Sequence, residues 1–390
     1  MQTSASPGDP EAGDPEAAVR DRYAAAAKTR EAALCCPVEY DPQHLKAIPD
    51  EVLERDYGCG DPSPYVREGD VVLDLGSGSG KICYIAAQLA GPKGQVIGID
   101  VNDEMLALAR RAAPVVAERL GFANVEFRRG RIQDLALDLD RLDAWLADHP
   151  VTSARDLAVL EVEQARLRRD LPLVSDASVD LVVSNCVLNL VRDRDKRQLL
   201  HEIFRVLKVG GRIAICDIVS DEPVPQRLKD DPQLWSGCVS GAFYEPELLR
   251  ELEAAGFHGL TIERWTHEPF AVVEGIEFRS VTITAHKGKQ GPCYEADQAV
   301  IYAGPWKRVE DDDGHVLLRG ERSAVCAKTF RILNSAPYRA ETIGIEPRIP
   351  IPEDERKGFD CSRTTPRSPR ETKGLAYRET RKPCEGEGCC

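Results

Sequence analysis

The sequence predicts an α/β fold: a doubly wound parallel sheet with a helical insertion, a substrate-binding region and a small C-terminal module. Three observations point to it. Short apolar runs alternate with helical patterns from Val71 to Asp217, and a glycine-rich loop follows the first run. The alternation stops near Gly291, after which the chain is aromatic, glycine-broken and mixed.

Residues 1–17, rich in Pro, Gly, Asp and Glu, read as a disordered leader. A helical pattern runs from Val19 to Leu34 and breaks at Cys36-Pro37; a short helix from Asp50 to Asp56 ends at the cluster Gly58-Cys59-Gly60-Asp61-Pro62. The expected strands are Val71 to Leu75, Gln95 to Ile99, Val125 to Arg128, Val179 to Ser184 and Arg212 to Cys216. Helices are expected over Lys81 to Leu89, Asp103 to Leu120 and Asp195 to Leu207, the last stopping at Gly210-Gly211. The long connection Asp138 to Leu171 carries two amphipathic segments and reads as an inserted helical hairpin. Residues 226–258 read as helical, and Leu260 to Trp265 and Phe278 to Ala285 as strands that extend the sheet. The expected divisions are a leader at 1–17, a principal domain at 18–225, a further region at 226–290, a small domain at 291–350 and an extended Cys-containing tail at 351–390.

Against 51 Lys and Arg stand 65 Asp and Glu, a formal net charge of -14 that disfavours broad capture of nucleic acid or anionic membrane. No apolar run approaches the ~20 residues of a membrane helix, and the start of the sequence has no apolar signal core, so a cytoplasmic protein is expected. The thirteen cysteines then cannot serve as structural disulfides. They form no paired C-x-x-C knuckles, so structural zinc is a weak reading. Cys83 and Cys216 lie on apolar faces of a helix and a strand and read as core. The seven histidines are scattered without metal or triad spacing.

In D-L-G-S-G-S-G, Asp74 to Gly80, the glycines let the chain turn tightly and bring bare backbone against a ligand. The loop alone is a weak signal. Asp100, 24 residues beyond Gly76 at the tip of the second strand, strengthens it, because an acid there can accept hydrogen bonds from both hydroxyls of an adenosine ribose. The rival reading of Asp100 is a helix N-cap. Asp74 reads as a partner for a cationic amino group or as a solvated strand-end carboxylate.

Three further segments each set a cysteine among small residues: Y-G-C-G at Tyr57 to Gly60, S-N-C-V-L-N-L at Ser184 to Leu190, and L-W-S-G-C-V-S-G-A at Leu234 to Ala242. The rim of a doubly wound sheet can bring Cys59, Cys186 and Cys238 together beside the ligand. Three thiolates suit a soft acceptor such as pyramidal trivalent arsenic. The bland alternative is three unrelated loop cysteines.

The glycine loop with its distal acid resembles the class I, Rossmann-like S-adenosylmethionine-dependent methyltransferases over residues 65–217. With the three cysteine segments, the chain resembles the arsenite methyltransferase family over about residues 30–285. The resemblance implies a cofactor site at Asp74, Gly76, Ser77, Gly78, Gly80, Asp100 and Val101, with Ile132 and Gln133 at the adenine and Asn185 near the methionine end. It implies arsenic ligands at Cys59, Cys186 and Cys238, with Tyr57 walling the site beside the sulfonium. A further N-terminal arsenic ligand of the family falls on Cys35 or Cys36, a pair that can also be a relay dithiol or a redox couple. Cys384, Cys389 and Cys390 read either as metalloid capture on a tail or as incidental. The implied activity is methyl transfer to thiol-bound trivalent arsenic, with S-adenosylmethionine as donor and a thiol reductant, glutathione or thioredoxin, as co-substrate. Expected partners are arsenite or its thiol conjugates, with no nucleic acid and no membrane, and the expected state is a monomer. The rivals are a methyltransferase for a small metabolite and a non-catalytic thiol sensor or carrier. The 138–171 insertion and everything after residue 290 depart from the family's commoner pattern.

Overall fold

Leu73 and Leu75 point to one face of the central sheet and Val72 to the other, all three fully buried, as expected of a strand covered on both sides. The computed structural model describes residues 15–31, 34, 38–361 and 366–380. Strands β1 (Val71–Leu75), β2 (Gln95–Asp100), β3 (Val125–Arg129), β4 (Val179–Asn185) and β5 (Leu207–Ser220) are parallel and stand in the order β3-β2-β1-β4-β5. Then follow β6 (Phe243–Tyr244), β7 (His258–Trp265), β8 (Ala271–Val273) and β9 (Ile276–His286). β9 lies antiparallel between β5 and β7; β6 pairs with β5 and β8 with β9, completing nine strands among the described residues.

Register places Leu75 opposite Ile99 on one side and Ser184 on the other. The loops leaving β1, β2 and β4 therefore emerge at one rim, at the carboxyl ends of the strands, where open α/β sheets bind ligands. On one face Leu73, Leu75, Ile97 and Ile99 pack with Leu199, Leu200 and Ile203; on the other Val72, Val96, Leu181 and Val183 pack with Ile85 and Leu108.

The insertion forms helices Leu139–Asp148 and Ala154–Asp170, N-capped by Asp138 and Ser153. Three elements differ from expectation. The helix Asp193–Val206 stops at Leu207, and Gly210-Gly211 lie inside β5, because Gly210 donates to the Lys287 carbonyl and Lys287 to that of Gly211. The stretch 226–258 is not continuously helical: Gln226–Lys229 and Pro232–Ser236 are single turns, and β6 intervenes before Glu245–Ala254. At Gly241 a Cβ would strike the Asn189 backbone, so the chain passes that point only as glycine. The first helix, Pro15–Ala26, begins inside the expected leader and ends well before Leu34. No described helix is long and apolar enough to cross a membrane.

The chain divides between Lys287 and Gly288. In the second unit β10 (Ala299–Tyr302) pairs antiparallel with β13 (Arg322–Ala324) and β14 (Thr342–Ile345), while β11 (Arg308–Glu310) pairs with β12 (Val316–Leu318). Val300, Tyr302, Leu317, Val325, Phe330 and Leu333 form its core. Order continues beyond residue 350: Arg367 forms ion pairs with Glu295 and Asp297, and its backbone N–H donates to the Arg322 carbonyl. Cys384, Cys389 and Cys390 lie outside the described residues, as do Cys35 and Cys36.

Candidate active site

The glycine loop turns from β1 into the helix Lys81–Ala90. Gly78, at φ +52°, donates its N–H to Asp100 Oδ2 at 2.8 Å, and Asn102 N–H donates to Asp100 Oδ1 at 2.8 Å. The helix cap is Asn102, whose side chain accepts from Met105, so the N-cap reading of Asp100 falls away. A cavity partly open to solvent lies at this rim. Ten of the expected cofactor-site and wall residues line it: Tyr57, Asp74, Gly76, Ser77, Gly78, Asp100, Val101, Ile132, Gln133 and Asn185. Gly80 does not. It closes the loop at φ +90°, where a Cβ would lie 2.7 Å from Phe127.

Burial pushes Asp74 up to about 7, against the Cys83 thiol that donates to its Oδ2 at 3.1 Å. A cationic amino group would stabilise such a carboxylate. The buried Ser77 hydroxyl has no partner among the described residues, and a Cβ at Gly78 would meet open space. Acid for an amino group, acid for a ribose, a free hydroxyl and an apolar wall at Val101 and Ile132 fit S-adenosylmethionine. The wall that sequence reasoning missed is the helix Pro15–Ala26: Glu16, Val19, Arg20 and Tyr23 line the cavity, and Asn102 Nδ2 donates to the Arg20 carbonyl at 3.2 Å. The alanine-rich pattern announces a helix there but nothing about where it packs.

Next to the cavity the three cysteines converge. Cys59, Cys186 and Cys238 are 7%, 5% and 3% exposed and pack with Ile218, Val239 and Phe278. The Cys59 and Cys186 sulfurs and a carboxylate oxygen of Asp217 lie within 4.8 Å of one another. Cys238 Sγ donates to the Cys186 carbonyl at 3.0 Å. Of the three, only Cys186 also lines the cavity. Cys186 and Cys238 hold φ of +63° and +61°, a left-handed conformation unfavourable for residues with a Cβ.

Hydrogen bonds to Cys238 and Cys59, with burial, push the Cys186 thiol well above its ordinary value. The contact with Cys186 draws Cys59 down, but burial and the charge of Asp217 outweigh it and the net shift is upward. Asp217 was expected only as the end of a strand. Burial pushes it up to about 6, opposed by the N–H groups of Ile218 and Leu188 that it accepts. In the sequence it follows the apolar run of the fifth strand as Asp100 follows that of the second, and that parallel was the available signal, although β5 itself continues to Ser220.

Other side chains fix the loops. Asn185 Oδ1 accepts from the N–H groups of Cys59 and Gly60 at 2.9 and 3.0 Å, and its Nδ2 donates to the Gly60 carbonyl at 2.7 Å. The Tyr57 hydroxyl donates to the Ala26 carbonyl at 3.0 Å, its ring meeting Tyr23 edge-on. The Tyr23 hydroxyl stands 3.8 Å from Cys238 Sγ. Cys83 and Cys216 are fully buried, as expected, although Cys83 is also bonded to Asp74.

The sheet order, the glycine loop on Asp100 and the adjoining cavity define a class I S-adenosylmethionine-dependent methyltransferase. A methyltransferase-domain family matches residues 67–159 and 151–256, and a family described as Domain of unknown function (DUF8838) matches residues 289–377. An arsenite methyltransferase of Aquipseudomonas alcaligenes is 33% identical over 78% of this chain and 82% of its own, and that of Homo sapiens is 31% identical over 76% and 74%. The crystal structure of an arsenic(III) S-adenosylmethionine methyltransferase from Chlamydomonas reinhardtii covers 83% of this chain and all of its own at 26% identity, with a TM-score of 0.53. The chain belongs to the arsenite methyltransferase family.

Proposed function

We propose that this protein methylates trivalent arsenic held by Cys59, Cys186 and Cys238, using S-adenosylmethionine. The observation that carries the reading is the double position of Cys186, which lines the cofactor cavity and belongs to the thiol cluster. A sulfur ligand there sets a bound arsenic beside the place where a methyl donor enters.

Loading needs no oxidant. Three S–H groups replace the three hydroxyls of arsenite, and the protons leave with them as water. The raised thiols are neutral when arsenite arrives, and Asp217, beside Cys59 and Cys186, accepts a thiol proton and passes it to the departing hydroxyl. Bound S-adenosylmethionine supplies an electrophilic methyl to the arsenic lone pair, a nucleophile that carries no proton. Asp74 would hold its amino group, Asp100 its ribose, and Val101 and Ile132 the base. Tyr57 and Tyr23 wall the cavity, while Ile218 and Phe278 keep water from the thiols, so the chain contributes alignment and a dry site. Methylation uses the arsenic lone pair, so two electrons must return to regain the trivalent state; glutathione or thioredoxin supplies them. The protein works as a cytoplasmic monomer.

The test is purified protein with labelled S-adenosylmethionine, arsenite and a thiol reductant, the arsenic products being separated. Label should appear on arsenic. Cys186→Ser and Cys238→Ser should each abolish turnover while leaving cofactor affinity within a few-fold; full activity in either variant would refute the roles assigned.

A further inference from the structure

A second group of three thiols lies in the unit after Gly288, among residues with no part in the site described above. The sulfurs of Cys293, Cys326 and Cys361 all lie within 4.8 Å of one another. The sequence scatters them over nearly seventy positions, and the fold gathers them. Phe359 N–H donates to the Cys293 carbonyl at 2.9 Å, Tyr294 and Gly358 form an antiparallel bridge, and Ala327 N–H donates to the Tyr294 carbonyl at 2.9 Å. Three segments are thus laced at the positions that carry or adjoin the thiols. Cys326 is 1% exposed and fixed by the N–H of Thr329 at 3.3 Å, whereas Cys293 and Cys361 are half-buried and leave a route in from solvent.

We infer that this triad is a second binding site for a trivalent thiophilic metalloid, arsenic(III) or antimony(III). The chemistry of the donor set selects the occupant. A zinc site is tetrahedral and needs a fourth ligand. Among the described residues no histidine or carboxylate joins these three sulfurs within the same 4.8 Å. A pyramidal trivalent centre needs three sulfurs and keeps its fourth direction for a lone pair. Binding is balanced without a redox step: three S–H protons leave with three hydroxyls of arsenite as three waters.

The site does not depend on the proposed catalytic roles, and its test keeps the two apart. The full chain carrying Cys59→Ser, Cys186→Ser and Cys238→Ser is equilibrated with arsenite under thiol reductant, and bound arsenic is counted and its sulfur neighbours read by X-ray absorption. That variant should still bind arsenic with three sulfur neighbours. Adding Cys361→Ser, at a partly exposed position, should remove one equivalent per chain or leave two sulfurs with one oxygen and at least tenfold weaker binding. Unchanged stoichiometry and coordination after Cys361→Ser would overturn the proposal. So would one equivalent of zinc, retained through purification and not displaced by arsenite.

Discussion

Asn185 grips Cys59 from across the rim: the side-chain oxygen at the end of β4 accepts the Cys59 N–H at 2.9 Å, although the two residues lie 126 positions apart. With its contacts to Gly60, this makes the Asn185 amide the clasp that sets the first thiol loop against the second. Gly58 leaves the clasp room, since a Cβ there would fall 2.1 Å from Asn185 Nδ2.

Asn185→Ala leaves two N–H groups and a carbonyl of that loop without their partner, a loss of about 1–3 kcal/mol. KM for arsenite should rise roughly tenfold or more, with the affinity for S-adenosylmethionine changed far less. Gly58→Ala should act in the same direction by displacing the amide. Steady-state kinetics in arsenite beside calorimetry of cofactor binding separates the effects. A loss confined to cofactor affinity would favour the role that the resemblance implies, at the methionine end of the cavity that Asn185 also lines.

Asp217→Asn keeps shape and removes the proton acceptor. The variant should load arsenite about tenfold more slowly, or worse. Its profile of kcat/KM for arsenite against pH should lose the limb near pH 6 that the raised carboxyl gives the parent protein. A limb that persists in the variant belongs to another group.

Stability should also follow pH. Asp74 and Asp217 are both raised, to about 7 and about 6, so each folded carboxyl holds its proton more tightly than the unfolded one. Their contribution is full below the ordinary carboxylate range and is lost as pH rises through about 6 and 7. The slope approaches about 1.4 kcal/mol per pH unit for each group. Thermal denaturation of ligand-free protein should therefore give a Tm that falls between pH 4 and pH 7 more steeply than in Asp74→Asn. Equal slopes in the two proteins would show that Asp74 is not held neutral.

Most of the scaffold was legible because its signals are local. Val71–Leu75, the glycine loop and the helix Asp103–Leu120 are written in contiguous residues, and the three cysteine segments announced themselves by their small neighbours. What escaped depends on distant partners. Gly210-Gly211 looked like a helix stop because nothing nearby in the sequence says that the Lys287 backbone will pair there. Cys293, Cys326 and Cys361 stood alone in the sequence, and their meeting is decided by bridges such as Tyr294 with Gly358. Asp217 entered the sequence reading only as the end of the strand and helix alternation, because its neighbours Cys59, Cys186 and Leu188 come from distant loops.

The left-handed backbone at Cys186 and Cys238 opposes the ordinary ranking of small residues. At most positions alanine is the more stable replacement; here glycine should be, by about 1 kcal/mol, because only glycine takes that conformation freely. Cys186→Gly should melt above Cys186→Ala, and Cys238→Gly above Cys238→Ala, with all four inactive; the reverse order would mean that the strain is relieved elsewhere. A library of this chain sorted for heat resistance alone should then drift toward glycine at both places and, on the roles proposed for these thiols, give up arsenic capture as it does so.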